Sequence, residues 1–258
     1  MSRHGHRFYL TAPIDVGTHL TLPDDQSRQI GTVLRLATGD TIALFNGDGF
    51  EYFASIVRVQ RSEVEVQIVR REPGILIPQP ALHMALSLIK QDRFEWALQK
   101  VTELGVERVI PMTTERTVIS FSVDRASQRL QRWQRIVAEA AEQSGRATVP
   151  VIDAVTSFTE VLTAVSDRQA VVLWEDEQAA GLPMLFGDAR PLLLLIGPEG
   201  GFSPAEIALA RKSGALTASL GPLTLRAETA AVSAAAVSLA HNLNQHVADE
   251  VVVFGRDS

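Results

Sequence analysis

Between residues 41 and 69 apolar and polar positions alternate with a period of two. Thr41-Ile42-Ala43-Leu44-Phe45, Phe50 to Val59 and Glu63 to Val69 read as short antiparallel strands, the first two joined by the Asn46-Gly47-Asp48-Gly49 turn. Glu72-Pro73-Gly74 and Pro78-Gln79-Pro80 then break the pattern, and the period changes. Beyond them, strand-like runs at 82–89, 107–112, 169–174, 191–196 and 217–220 alternate with stretches of helical period at 91–104, 125–144, 157–165, 204–213 and 227–243. This order predicts a small β-barrel-like domain at 1–72 followed by an α/β domain with a mainly parallel sheet at 73–258. No internal repeat or low-complexity segment interrupts it, although residues 227–240 are rich in Ala.

Among the connections, Ile196-Gly197-Pro198-Glu199-Gly200-Gly201-Phe202-Ser203 carries the most chemistry. It follows Leu192-Leu193-Leu194-Leu195, a run with the character of a strand buried on both faces, and leads into Ser203-Pro204-Ala205-Glu206. That segment supplies a capping Ser, a Pro in the first turn and a Glu three residues on, so a strand delivers the loop to a helix start. The glycines let backbone approach a ligand closely, and the free amides of the next turn can receive an anion or a carbonyl. The loop lacks the Gly-x-Gly-x-x-Gly of dinucleotide folds and the Gly-Lys-Ser/Thr of phosphate-cradling loops. Glu199 would repel a multiply charged phosphate, so a neutral or cationic ligand fits better. The competing reading is a tight strand-to-helix connection with no ligand.

The 258 residues, 46% hydrophobic and 21% charged, suffice for one or two ordinary cores. The absence of Cys excludes disulfides, thiolate zinc sites and cysteine nucleophiles. The N-terminus lacks the apolar core of a signal peptide, and no apolar run approaches the roughly 20 residues needed to cross a bilayer, so a cytoplasmic protein without a membrane partner is expected. A formal charge of −6 argues against an all-over basic coat for nucleic acid while leaving room for local basic patches.

Two such patches exist. Arg3, His4, His6 and Arg7 precede Phe8 and Tyr9, a basic and aromatic mixture that suits nucleic acid and is also common in terminal tails. From Arg125 onward, at about 100° per residue, Leu130, Trp133, Val137 and Ala140 cluster on one side of a helix, whereas Arg125, Arg132 and Arg135 gather on the other with Arg129 between. As a solvated face this stripe pairs with Glu139 and Glu142; as an RNA footprint it supplies phosphate contacts. Phe94, Leu98 and Val101 mark a core face, with Gly105 as the helix stop. No His-Glu-x-x-His or other ligand cluster occurs, so no metal is expected. Neither is there a Gly-x-Ser-x-Gly elbow, and Ser233, Ser238 and His241 read as packed core along a helix.

Gly197-Pro198-Glu199-Gly200-Gly201-Phe202, Leu220-Gly221-Pro222 and Leu225-Arg226-Ala227-Glu228-Thr229-Ala230, in that order, resemble the RsmE family of bacterial 16S rRNA uridine N-3 methyltransferases. Lys100, Glu103-Leu104-Gly105-Val106, Pro111 and Thr114-Glu115-Arg116 resemble the family's middle signature, and Val33-Leu34-Arg35 with Gly39-Asp40 its N-terminal one. The resemblance runs from about Arg7 to Asn244, and the ordered set is far more specific than any one piece. It departs from the pattern at Gln29, where a His usually precedes Val-Leu-Arg, and at Leu223, where a basic residue often follows Leu-Gly-Pro.

The resemblance implies a PUA-like RNA-binding domain at the N-terminus and a SPOUT-class α/β domain whose C-terminal chain forms a trefoil knot at about 192–243. It implies S-adenosylmethionine (SAM) as cofactor, 16S rRNA or the small ribosomal subunit as partner, and a homodimer. Knots are essentially absent from protein chains at large, so that expectation rests on the family alone. Cofactor contacts are expected from Leu173, Ile196, Gly197, Pro198, Glu199, Gly200, Gly201, Leu220, Gly221, Pro222, Leu225, Arg226 and Thr229. RNA contacts are expected from Arg7, Arg35, Arg125, Arg132 and Arg135.

The sulfonium methyl of SAM is already electrophilic, so the implied reaction needs neither metal nor covalent nucleophile and depends on positioning. The imide nitrogen of uracil is poorly nucleophilic until its proton leaves, which calls for a base or an anion stabiliser. Glu199 or Glu115 is expected to take the proton, and Arg226 or Arg116 to steady the charge spreading onto the flanking carbonyls. Each Arg–Glu combination also reads as a structural ion pair holding the loops. A runner-up function is a non-catalytic RNA-binding dimer that keeps the knot domain; a nucleotide-dependent oxidoreductase is disfavoured by the missing dinucleotide fingerprint.

Overall fold

The alternation over residues 41–69 becomes the centre of a five-stranded sheet. The computed structural model describes residues 5–60, 63–119, 123–165, 167–187 and 190–254, so Arg3 and His4 lie outside the described residues. Two units emerge: one reaches Leu76 and also takes in Ala141–Val149, and the other comprises Ile77–Ala140 and the chain from Pro150.

In the first unit, strands β1 (Arg7–Tyr9) and β2 (His19–Thr21) precede a short helix α1 (Asp24–Arg28) and a π-helical turn Gln29–Leu34. Strands β3 (Thr41–Phe45), β4 (Phe50–Val59) and β5 (Val64–Pro73) follow. The order across the sheet is β1-β3-β4-β5-β2. The three strands read from the alternation, β3, β4 and β5, pair antiparallel as expected, and β2 joins β5 antiparallel; β1, which the pattern did not show, lies parallel to β3 and makes the sheet mixed. One face buries Phe8, Ile42, Leu44, Tyr52, Ala54, Ile56, Val66 and Ile68 in a single core. Three-residue strands such as β1 and β2 are too short to show a period, which is why pattern reading misses them.

The opposite face carries Arg7, which sequence reading assigned to RNA. Its side chain is 5% exposed and its Nε donates to Glu51 Oε1 at 2.6 Å. Nη1 donates to Ala141 O at 3.1 Å and Glu142 O at 2.9 Å, and Nη2 to Arg146 O at 3.2 Å. The guanidinium also lies 4.8 Å from the centre of the Phe45 ring. Carbonyls of a last helical turn have no partner within the helix, and a planar fork of donors with a positive charge suits them. Arg7 is therefore a buried clamp within the unit, with its donors turned inward. Glu142 adds to the same clamp by accepting the Tyr9 N–H at 2.6 Å.

The second unit contains β6 (Leu82–Ser87), α2 (Gln91–Glu103), β7 (Arg108–Thr113), and α3 (Val123–Ser144) as far as Ala140. β8 (Val151–Ile152), β9 (Thr156–Ser157), α4 (Phe158–Thr163) and β10 (Gln169–Leu173) come next, then a 3-10 turn Leu182–Leu185. β11 (Leu192–Ile196), α5 (Pro204–Lys212), β12 (Leu216–Ala218) and α6 (Ala227–Phe254) complete it. The strands run in the order β12-β10-β11-β6-β7-β8, with β9 beside β7, and every pair is parallel. Every residue of β11 is buried, as its unbroken apolar run predicts. The core face read for α3 also packs: Trp133, Val137 and Ala140 are buried, and the Trp133 ring meets Phe94 of α2 at 4.7 Å between centroids. α6 runs past the expected end at 243, since no Gly or Pro occurs between Asn244 and Phe254 to stop it.

Replacing Arg7 by Ala removes a buried charge partner of Glu51 and the donors to three carbonyls, a kind of change that costs about 3–5 kcal/mol in comparable sites. The first unit is expected to lose that much stability, read as faster hydrogen exchange of the β3 and β4 amides. Arg7→Lys should restore only part, because an ammonium cannot span Glu51 and the three carbonyls together. A loss below about 1 kcal/mol, the level of an exposed pair, would show that the clamp is solvated.

Candidate cofactor cleft

Register brings the C-terminal ends of three strands side by side: Leu173 of β10 pairs with Ile196 of β11 and with Ala218 of β12. The loops that leave them at 174, 197 and 219 must therefore meet, at the edge where parallel α/β sheets commonly hold ligands. A cleft enclosing about 540 Å³ of empty space, part of it open to solvent, lies there. Its walls are largely apolar, with Leu173, Ile196, Phe202, Leu220, Leu223 and Leu225 among them. The Glu175 side chain adds a carboxylate, exposed and without a hydrogen-bond or ion partner among the described residues. An apolar slot with one free negative charge suits a flat ring carrying a cationic group.

Local chemistry shapes the Gly-rich loop. Gly201 N–H closes a turn onto Pro198 O at 2.9 Å, and Gly201 sits at φ +66°, the left-handed region that glycine adopts without strain. A β-carbon there would meet only the Glu175 carboxylate, the end of an exposed and flexible side chain, so it is the backbone dihedral that calls for glycine. The capping box read from Ser203-Pro204-Ala205-Glu206 forms: Ser203 Oγ accepts the Glu206 N–H at 3.2 Å and Glu206 Oε2 accepts the Ser203 N–H at 2.8 Å. Glu206 does more than cap. Its Oε1 accepts the Glu115 N–H at 2.8 Å, binding the loop after β7 to the start of α5. Arg116 Nη1 then donates to Gly200 O at 2.6 Å.

The loop after β10 is fixed from the other side. Arg211 of α5 and the Thr217 hydroxyl of β12 both reach Glu177 Oε2. The Thr217 hydroxyl and the Ala179 N–H hold the Glu177 carboxyl below the usual carboxylate range. Behind the cleft, Ser219 and Gly181 form a parallel bridge, with Ser219 N–H on Ala180 O and Leu182 N–H on Ser219 O, so the chain leaving β12 runs beside the loop between β10 and β11.

The family described as RNA methyltransferase domain matches residues 77–239, and the RNA methyltransferase PUA domain matches residues 22–69. Ribosomal RNA small subunit methyltransferase E of Bacillus subtilis is 32% identical over 230 residues, covering 84% of this chain and 88% of that protein. A crystal structure of the protein of that name from Neisseria gonorrhoeae, bound to S-adenosyl methionine, superposes with a TM-score of 0.84 at 32% identity, covering 90% of this chain and 96% of that one. A Legionella pneumophila methyltransferase in complex with SAM gives a TM-score of 0.80 at 31% identity, covering 92% and 97%. The chain belongs to the ribosomal RNA small subunit methyltransferase E family.

Of the cofactor residues expected for an RNA methyltransferase of this family, Leu173, Ile196, Gly197, Pro198, Gly201, Leu220, Gly221 and Leu225 line the cleft. Glu199, Gly200 and Pro222 do not line it, and Arg226 and Thr229 line a second depression alongside. Glu199 is instead engaged by Arg93 at 3.5 Å, and the same guanidinium lies 3.8 Å from Glu228. Glu115 is exposed and meets the site through its backbone; Arg116 is held at Gly200. Arg226 is exposed, and its guanidinium has no partner among the described residues. Trp174, Glu175 and Ser219 line the cleft but escaped sequence reading, because only register places the loops after β10 and β12 beside the Gly-rich one.

Among the expected RNA contacts, Arg35 ends the π-helical turn at φ +55°, the one non-glycine residue at positive φ among the described residues, and is exposed. Such strained positions collect at functional sites. Arg125 and Arg135 are exposed on α3 without partners among the described residues, whereas Arg132 is forked onto Glu95, with Nε–Oε1 at 2.5 Å and Nη2–Oε2 at 2.7 Å.

Glu206→Ala is expected to free the Ser203 and Glu115 amides together. Hydrogen exchange at both should accelerate, with a stability loss of about 0.5–2 kcal/mol, as when other N-terminal caps are removed. Acceleration at Ser203 alone would mean that the loop after β7 holds its place without Glu206.

Proposed function

We propose that this chain transfers a methyl group from SAM to N-3 of a uridine in the 16S rRNA of the small ribosomal subunit. The carrying observation is the apolar cleft at the ends of β10, β11 and β12, bounded by the glycine loop and the free Glu175 carboxylate. It fits SAM: the walls suit adenine, Gly201 brings bare backbone to the cleft wall, and Glu175 offers a counter-charge to a molecule bearing sulfonium and ammonium groups. SAM supplies an activated methyl, and the chain's own work is to orient the acceptor base and manage its proton. A purely RNA-binding dimer would have no use for such a cleft.

Leu173, Ile196, Gly197, Pro198, Gly201, Leu220, Gly221 and Leu225 are assigned to the cofactor. Arg226, beside the cleft and without a partner among the described residues, is assigned to the negative charge that spreads over the uracil carbonyls as N-3 loses its proton. Glu199, held by Arg93, and Arg116, held at Gly200, are assigned to keeping the loops in place. Residues 1–72 are assigned to RNA binding and 73–258 to methyl transfer, in a cytoplasmic homodimer. The bridge of Ser219 to Gly181 supports a knot in which the chain after β12 passes through the loop between β10 and β11.

The reading is tested by transfer of isotopically labelled methyl from SAM to small-subunit RNA, followed by nucleoside mass spectrometry. Label in 3-methyluridine is the expected result; SAM binding without transfer would favour the non-catalytic dimer. Arg226→Ala should cut the single-turnover rate by about a hundredfold or more while SAM affinity changes little, because the contact strengthens only as charge develops. A near-normal rate would reduce Arg226 to a structural residue.

Arg35, Arg125 and Arg135 are assigned to RNA phosphates. Neutralising Arg125 or Arg135 should lower the slope of log affinity against log salt by about 0.7–0.9 for each phosphate left without its counter-charge. Arg132→Ala should lower it less, since Glu95 already offsets that charge. A wild-type slope in the Arg125/Arg135 double variant would make the stripe a solvated face.

A further inference from the structure

The depression beside the cleft is walled by Asp92, Arg93 and Trp96 of α2 and by Arg226, Glu228 and Thr229 at the start of α6. The Glu228 side chain is 11% exposed. Its Oε1 lies 3.8 Å from Arg93 Nε, while its Oε2 is closed off from solvent and has no hydrogen-bond partner among the described residues. A buried carboxylate oxygen without a donor is unfavourable enough that folded proteins rarely keep one. Arg93 is already divided between Glu228 and Glu199. Close by, Arg226 has no partner for its guanidinium among the described residues, and Trp96 stands 45% exposed at the rim.

These groups complement one edge and one face of uracil. The base presents a carbonyl acceptor, the N3–H donor and a second carbonyl acceptor, on a ring that stacks on aromatic side chains. The depression is lined by possible donors on Arg226 and Thr229, by the Glu228 carboxylate as acceptor and by the Trp96 ring. Cytosine carries a lone pair at N3, which would confront the Glu228 carboxylate with a second acceptor and be rejected. The first turn of α6 borders both spaces, since its Ala227 lines the cofactor cleft.

Building on the methyl-transfer reading, we propose that this depression receives the target uracil, stacked on Trp96, and that Glu228 is the catalytic base that accepts its N3 proton. The N3–H bond breaks toward the Glu228 carboxylate, part of which stays exposed at the depression, and its electron pair stays on N3 to form the new N–CH3 bond. The carbon–sulfur bond of the donor breaks with its pair on sulfur, giving the thioether product, and Glu228 passes its proton to water on release. Glu199 and Glu115 are thereby relieved of the role: the first is held by Arg93, and the second reaches the site only through its backbone.

The test compares wild type, Glu228→Gln, Glu228→Ala and Trp96→Ala in the full chain, using a small-subunit RNA with uridine or 3-methyluridine at the target and SAM as cofactor. Glu228→Gln keeps size and one acceptor, so SAM affinity should hold while the single-turnover rate falls by about a hundredfold or more, the usual scale of general-base removal. Wild type should bind the uridine RNA about tenfold more tightly than the 3-methyluridine RNA, which lacks the N3 donor, and Glu228→Ala should lose that preference. RNA should quench tryptophan fluorescence in wild type and much less in Trp96→Ala. A Glu228→Gln rate within about threefold of wild type, a smaller change than general-base removal gives, would overturn the assignment. So would a wild type that binds both RNAs equally, or variants that dissociate the protein into smaller species with the uridine preference intact, which would make the depression a contact between copies of the chain. If wild type binds SAM and prefers uridine yet transfers no methyl, the methyl-transfer reading fails while the base pocket stands.

Discussion

One carboxylate ties the mouth of the site together. Glu206 accepts the Ser203 N–H with one oxygen and the Glu115 N–H with the other, and it is 9% exposed. The first contact fixes where α5 begins, and so where the glycine loop must end. The second brings the loop after β7 against that same point, which lets Arg116 reach Gly200. A buried anion satisfied by two backbone donors, at the positive end of a helix, has little freedom to move. Loop geometry that would otherwise depend on many weak surface contacts therefore rests on one group of defined direction.

This arrangement also separates what local sequence discloses from what it cannot. The Ser-Pro-Ala-Glu box was legible because capping works within four consecutive residues, and the unbroken run of β11 was legible because burial on both faces leaves no polar position. The second contact of Glu206 spans 91 residues and has no periodic or local signature. The same holds for Glu175 and Ser219, which reach the cleft only through the register of β10 with β11 and β12. Motif resemblance supplied the glycine loop and the Leu-Gly-Pro turn, and much of what faces the cleft lies outside both motifs.

Arg7 shows the converse limit, a residue whose type is legible in the sequence and whose surroundings are not. A basic residue beside Phe8 and Tyr9 near a terminus resembles a nucleic-acid arm, and composition cannot tell that from a clamp. The difference lies in the partners: Glu51 and three carbonyls from Ala141, Glu142 and Arg146 are remote in sequence and take up the whole guanidinium. Arg132, forked onto Glu95, is a milder instance, since its charge stays partly at the surface. A cation counts toward an electrostatic footprint only as far as its own protein leaves it uncompensated. By that measure Arg35, Arg125, Arg135 and Arg226 remain.

The Ala-rich start of α6 follows from the same need to keep two chemistries apart. On one side Ala227 and Ala230 line the cleft, and on the other Arg226, Glu228 and Thr229 line the depression beside it. Small side chains on the first face let the helix stand close to the cleft and to the sheet, where Ala231, Ala234 and Ala235 are fully packed. A larger residue at 227 or 230 would fill part of the cleft. Charge on the second face stays outside the apolar slot yet within one helical turn of it. An apolar wall there lowers the local dielectric and strengthens every interaction at that boundary, so a charge on Arg226 or Glu228 acts more strongly than it would in open water.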